Sequence, residues 1–166
     1  MQKQKKMSNS KFFNIIGAEL GLDEVVLAIY EFVNFKPKRK YKIIVGTDSA
    51  ARSDVQFVTA ITIWRIGNGG IHFWTRSEKT HCNTLRDRIY KETIHSITLA
   101  QELRGRLKEK LGDEFFWDDQ IHIDVGENGP TRDFIDTVVG MVRGYGFDAV
   151  IKPNSFGASI VADRHT

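Results

Sequence analysis

"YKIIVGTDSA", residues 41–50, carries the reading of this chain. Ile43, Ile44 and Val45 are a β-branched run that fits a buried strand, and it leads straight into Asp48, flanked by Thr47 and Ser49. A carboxylate at the end of a buried strand is costly unless something pairs with it. Either the strand stops and Asp48 caps a turn, or Asp48 is held there as an anionic ligand. The choice depends on whether other carboxylates reach the same place.

Working outward, the period of two continues. "VQFVTAITIWRIG" (55–67) is a second strand, "NGG" (68–70) a tight turn, and "IHFWTRS" (71–77) the returning strand, so the chain predicts an antiparallel meander. Upstream, "LDEVVLAIYEFV" puts Val25, Ala28, Ile29 and Phe32 on one stripe, with Asp23 and Glu24 in the first turn, which predicts a helix over 22–34. Residues 1–21, beginning "MQKQKKMSNS", read as a flexible basic tail, and 22–166 as one domain.

Downstream, Leu85, Ile89, Leu99, Ala100, Leu103 and Leu107 form the apolar face of a long helix from about Thr84 to Leu111, with Gly112 as its stop. "QIHIDVG" (120–126) alternates as a strand, and "TRDFIDTVVGMVRG" (131–144) is a helix packing through Phe134, Ile135, Val138 and Val142. "FDAVIKP" (147–153) is a fifth strand, and Ser155 caps a short last helix. Three hairpin strands followed by βαβ crossovers predict an α/β fold: a mixed five-stranded sheet flanked by helices, with an extra helix at its start.

The bulk properties narrow the class. A chain of 166 residues is long enough to bury one core. No apolar run reaches the roughly 18 residues of a membrane helix, and no hydrophobic signal segment follows the basic start. Cys82 is the only cysteine, which excludes an intrachain disulfide and makes a reducing cytoplasm the simplest location. The net charge of +3 is too mild to imply a polyanionic partner by itself. "KPKRKYK" (36–42) and "RGRLKEK" (104–110) are local basic clusters, and each alone fits a solvated face slightly better than a binding patch.

Most acidic residues lie where water can reach them. Asp118, Asp119, Asp136 and Asp148 fall in loops or on outward faces. Four others do not. Asp48 ends the first strand and Asp124 the fourth; if those strands are parallel neighbours, both emerge at one carboxyl edge, where open α/β sheets place ligands. Glu92 falls in the apolar stripe of the long helix, with Ser96 one turn later; alone, it reads as a boundary glutamate paired with Arg88 or His95. Asp163 follows Phe156 and Ile160 on the inward side of the last helix, or belongs to a frayed end. Together, four such carboxylates would repel until protonated or neutralised. Two divalent cations cancel four charges; Mg²⁺ takes oxygen ligands and keeps waters, and a pair of such ions serves phosphodiester hydrolysis.

The order of elements resembles the ribonuclease H-like fold. The segments "VGTDS", "LRDRIYKET", "IHIDVGENG", "VVGMVRGYGFDAVIKP" and "SIVADR" look more narrowly like the YkuK-like family of bacterial ribonuclease H-like proteins, over residues 40–166. The resemblance implies a catalytic, metal-holding set of Asp48, Glu92, Asp124 and Asp163, two Mg²⁺ or Mn²⁺ ions, and hydrolysis of a nucleic acid. The helix at 22–34 is an addition to the usual pattern. The main alternative is a nucleic-acid-binding or adaptor domain that keeps the fold without cutting. Phosphoryl transfer from ATP ranks last, because the chain is too short for a two-lobed architecture.

Lesser candidates surround this set. Lys152, Arg132 and His165 are expected to touch phosphate or assist a leaving oxygen, and Arg86, Arg88, Arg104, Arg106 and Lys108 would add contacts without sequence information. "GENGPTR" (126–132) lacks P-loop spacing. Trp64 and Trp74 read as a cross-strand aromatic pair with a secondary claim to base stacking. His122 reads as a supporting or core group. The histidines show no zinc spacing, and Cys82 beside His81 lacks a third catalytic partner.

Overall fold

The structure is a computed structural model, and it describes residues 9–166. Its centre is β3 (Tyr41–Ser49), whose residues are buried throughout except Lys42. β4 (Asp54–Arg65) pairs antiparallel with β3, and β5 (Gly70–His81) pairs antiparallel with β4. On the other side of β3, β6 (Asp118–His122) and then β7 (Asp148–Val150) add in parallel. These are the five strands the pattern predicts.

Among the described residues the sheet has seven. Two short strands, β1 (Phe12–Phe13) and β2 (Glu19–Leu20), form a hairpin whose first member pairs with β5, so the order is β2-β1-β5-β4-β3-β6-β7. The flexible tail expected over 1–21 is therefore corrected from Phe12 onward; residues 1–8 lie outside the described residues. The reason is burial. Phe12 is fully enclosed in the main core, and Phe13 stacks on Trp74 with ring centroids 4.6 Å apart.

One face of the sheet carries the helices α1 (Leu22–Phe35), α2 (Leu85–Leu111) and α3 (Ile135–Gly144). Ile43, Val45, Ile61, Ile63, Phe73 and Ile121 meet Val25, Ile29, Ile89, Leu99, Leu103 and Val142 there in one core. Thr84 caps α2 by accepting from the Asp87 N–H, and Gly112 closes it with φ +77°. Among the described residues, no helix is long and apolar enough to cross a membrane.

The other face is covered differently. The chain after β7 forms one wide helical turn, Gly157–Ala162, followed by a tighter turn, Asp163–His165. It lies directly on the backbone of β3. A Cβ on Gly46 would stand 2.5 Å from Ala158 N and 2.6 Å from Gly157 C, so only glycine admits this approach. Gly157 is equally confined, by Ile44 at 2.7 Å and by the His122 ring. His122 anchors the turn: its Nδ1 accepts from the Gly157 N–H at 3.0 Å, leaving Nε2 to donate to Gln120 Oε1 at 3.1 Å. Burial holds this imidazole down at about 4, so it stays neutral and keeps that tautomer. His122 is the supporting group the alternation implies.

Two sequence expectations shift. The fourth strand occupies 118–122 rather than 120–126. Asp118 and Asp119 belong to it, and Asp119 is not a solvent-facing loop residue. Arg104 Nε, from α2, donates to its Oδ2 at 2.6 Å and the nearby Trp117 Nε1 to its Oδ1 at 2.5 Å, so two donors compensate its burial.

Candidate metal centre

Asp48 and Ser49 end β3 on opposite faces, as strand alternation requires. Ser49 turns toward α2, and its Oγ donates to Glu92 Oε1 at 2.6 Å. Asp48 turns toward the C-terminal turn and hydrogen-bonds the side chain of Asp163. The expected partners of Glu92 are thereby revised: the direct contact is Ser49, while His95 stacks on Phe57 at 4.8 Å and Arg88 acts only through its charge. A bulge in β4 between Gln56 and Val58 lies opposite this strand end, a common way of shaping a site edge.

A polar seam supports Glu92 from below. Ser96 Oγ lies 2.7 Å from Thr47 Oγ1, which lies 2.9 Å from Thr59 Oγ1, and Thr93 bonds the Ile89 carbonyl. Every member of this buried seam is satisfied, so it fixes α2 against β3 without a penalty.

Asp124 stands just past the end of β6. The Ile123 N–H donates to the Val150 carbonyl and the Lys152 N–H to the Val125 carbonyl, so two backbone bonds hold the segment beside the strand that follows α3. This puts Lys152 Nζ 3.0 Å from Asp124 Oδ1, an ion pair in which the oxygen, though buried, has no aligned hydrogen bond. Gly126 gives Lys152 its room, since a Cβ there would sit 3.0 Å from the lysine Cβ.

All four expected carboxylates line one cleft of about 690 Å³. Asp48 is 8% exposed and Glu92 6%. Burial raises the Asp48 carboxyl to about 7, helped by the Asp163 hydrogen bond and by the charges of Asp124 and Asp163 against the opposing Ser49 N–H. Burial likewise raises Glu92 to about 8, with Asp48 and Asp124 adding to it and Ser49 and Arg88 opposing it. As the side chains stand, the ammonium of Lys152 offsets part of the negative charge of the cleft. In this arrangement no group of three or more His, Cys, Asp or Glu that could hold a metal ion exists among the described residues. The donors that line the cleft are carboxylate oxygens without sulfur or imidazole, a set that suits hard cations such as Mg²⁺ or Mn²⁺.

The chain matches the ribonuclease H-like family model over residues 24–166. It belongs to the ribonuclease H-like family. Within that family it is similar to the "Uncharacterized protein YkuK" of Bacillus subtilis (strain 168), at 30% identity over 167 residues, covering 93% of this chain and 96% of that protein. No solved structure matches it. The match takes in nearly all of helix α1, and the hairpin β1–β2 lies outside it at the margin of the sheet.

The lesser candidates are placed unevenly. Lys152 lines the cleft, but as the partner of Asp124. Arg132 is exposed at the start of the turn before α3 and does not line the cleft, although its neighbours Asn128, Pro130 and Thr131 do. His165 is neither a free terminal residue nor a cleft residue. It stacks on Trp74 at 4.3 Å, and its backbone carbonyl accepts from Arg76. Trp64 and Trp74 are not a cross-strand pair: Trp64 is opposite Gly70, and Trp74 is opposite Ala60.

Three basic residues were missed. Arg52, Arg76 and Lys79 line a second groove that shares Ala50 and Thr166 with the carboxylate cleft. Arg52 lies in the β3–β4 turn, and Arg76 and Lys79 lie on β5 more than twenty positions later, so no single sequence cluster joins them.

Proposed function

We propose that the cleft is the centre of a metal-dependent nuclease and that Asp48, Glu92, Asp124 and Asp163 hold Mg²⁺ or Mn²⁺ there. The observation that carries this is the convergence of the four side chains, from four separate elements, on one cleft in which Asp48 and Glu92 are raised toward neutrality. Perturbed carboxyls gathered in a cleft are the physical signature of a candidate functional site. Bound there, the ions supply charge neutralisation and Lewis-acid activation for phosphodiester hydrolysis.

The chain's own groups do the rest. Ser49 orients Glu92, and Asp48, on the opposite face of β3, stands beside Asp163. Arg88 lines the cleft itself, and Arg52, Arg76 and Lys79 continue a positive track along the adjoining groove, which suits a nucleic-acid backbone. The net reaction adds water across a P–O bond: the water oxygen bonds to phosphorus, and the released oxygen takes up a proton.

A second reading is a binding or adaptor domain that no longer cuts. The Lys152–Asp124 pair favours it, since an ammonium there occupies an oxygen that catalysis would need. A cleavage panel separates the two. Labelled single strands, duplexes, hybrids and four-way junctions are incubated with Mn²⁺ at low and moderate salt, using wild type, Asp48→Asn and Asp124→Asn. The nuclease reading expects cleavage of at least one substrate and a loss of at least about a thousandfold in both variants, roughly 4 kcal/mol of barrier. Binding of the panel without cleavage supports the adaptor.

A further inference from the structure

The face of the sheet that carries the C-terminal turn is only partly covered. Beyond that turn, away from the carboxylates, lies a separate pocket of about 500 Å³. Its walls are Trp64, Phe156 and Val161, and its floor is Thr62 and His72, which are cross-strand partners on β4 and β5. The rim on one side is Gly69 and Gly70, so no side chain crosses the mouth there. Gly70 is held to glycine, because a Cβ would sit 2.8 Å from the Ile63 carbonyl oxygen.

Two features point to a planar, hydrogen-bonding occupant. Trp64 remains 38% exposed although Phe156 meets it edge-on at 6.3 Å, so indole surface is left for stacking. Thr62 Oγ1 and His72 Nε2 have no hydrogen-bond partner and almost no accessible surface as the side chains stand, and a side-chain rotation at the floor would turn them to a ring with polar edges. A third feature supplies charge: Lys42 Nζ lies 5.6 Å from the Trp64 ring centroid, where it can meet a phosphate attached to that occupant. A purely aliphatic ligand would leave the two polar atoms unpaired.

The register sets the distance. Asp48 is opposite Val58, and Lys42 is opposite Trp64, on the same face six positions along β3. At about 3.3 Å per residue the separation is about 20 Å, within the span of a short single strand.

We infer that this pocket takes a nucleobase of a strand whose backbone runs to the carboxylate cleft, with the base against Trp64 and its polar edge toward Thr62 and His72. The inference rests on the nucleic-acid reading above and adds to it a base subsite outside the metal centre.

The test uses the full chain with EDTA present, so that binding is measured without cleavage. Fluorescence anisotropy follows a labelled single strand of about 12 nucleotides, and a matched abasic strand, on wild type, Trp64→Ala and Trp64→Phe. Stacking predicts about tenfold weaker binding of the base-containing strand to Trp64→Ala, near-wild-type binding to Trp64→Phe, and no dependence of the abasic strand on residue 64. Equal affinity of wild type and Trp64→Ala for the base-containing strand overturns the inference. In parallel, the Trp64 indole N–H is followed by NMR during titration with adenosine 5′-monophosphate. If no strand binds at all, the nucleic-acid reading fails; a saturable Trp64 shift with the mononucleotide then still supports the base pocket, and a flat titration removes it.

Discussion

Asp48, at the end of the central strand, and Asp163, in the last turn of the chain, line the same cleft. Burial, together with the neighbouring Asp163 and Asp124, raises the Asp48 carboxyl to about 7, so the folded state becomes sensitive to pH.

The direction follows from linkage. Folded Glu92 titrates near 8 against 4.5 for an ordinary glutamate, and Asp48 near 7 against 3.8. Between those values the folded chain holds protons that the unfolded chain has released, so stability falls as pH rises through the window. Urea unfolding in EDTA should give a midpoint that declines from about pH 5 to about pH 8, with a shallower decline in Glu92→Gln. A midpoint that is flat or rises over that range would show the carboxyls to be normally ionised.

Gly46 should be intolerant for a reason that lies outside the cleft. Its missing Cβ is the space occupied by the backbone of Gly157 and Ala158, which cannot swing aside as a side chain can. Gly46→Ala is expected to cost about 1–3 kcal/mol and to speed amide exchange selectively over 157–165, because the turn carrying Asp163 must lift. Unchanged melting and unchanged exchange would remove the argument that this contact delivers Asp163.

Lys152 should affect ions and substrate in opposite senses. It lies 3.0 Å from Asp124 Oδ1 and competes there with any divalent cation, yet it also adds positive charge to the cleft. Lys152→Gln is expected to tighten Mn²⁺ binding several-fold while weakening oligonucleotide binding by a comparable factor, both effects shrinking at high salt. Titrations of the two ligands check this; a fall in both affinities would make Lys152 a structural strut instead.

The order of the central elements is readable in the chain because period and position agree. Ile43 to Val45 alternate into β3, the α2 stripe carries Glu92 inward, and Asp48, Glu92, Asp124 and Asp163 fall in sequence on the elements that bring them to one cleft. What is not readable depends on contacts far apart in sequence. Strands of two residues such as Phe12–Phe13 are too short to show a period, and only β5 defines them. Asp119 has the composition of a loop residue until Arg104 reaches it from α2. His165 looks terminal and free until Trp74 stacks on it.

The central claim is that these carboxylates are a cation site, and calorimetric titration with Mn²⁺ near neutral pH tests it most directly, repeated in two buffers of different ionisation enthalpy. Binding should displace protons from Asp48 and Glu92, so the apparent heat should depend on the buffer, and the site should vanish in Asp48→Asn and Asp124→Asn. No saturable heat in the wild-type protein, or an affinity unchanged in both variants, would contradict the account.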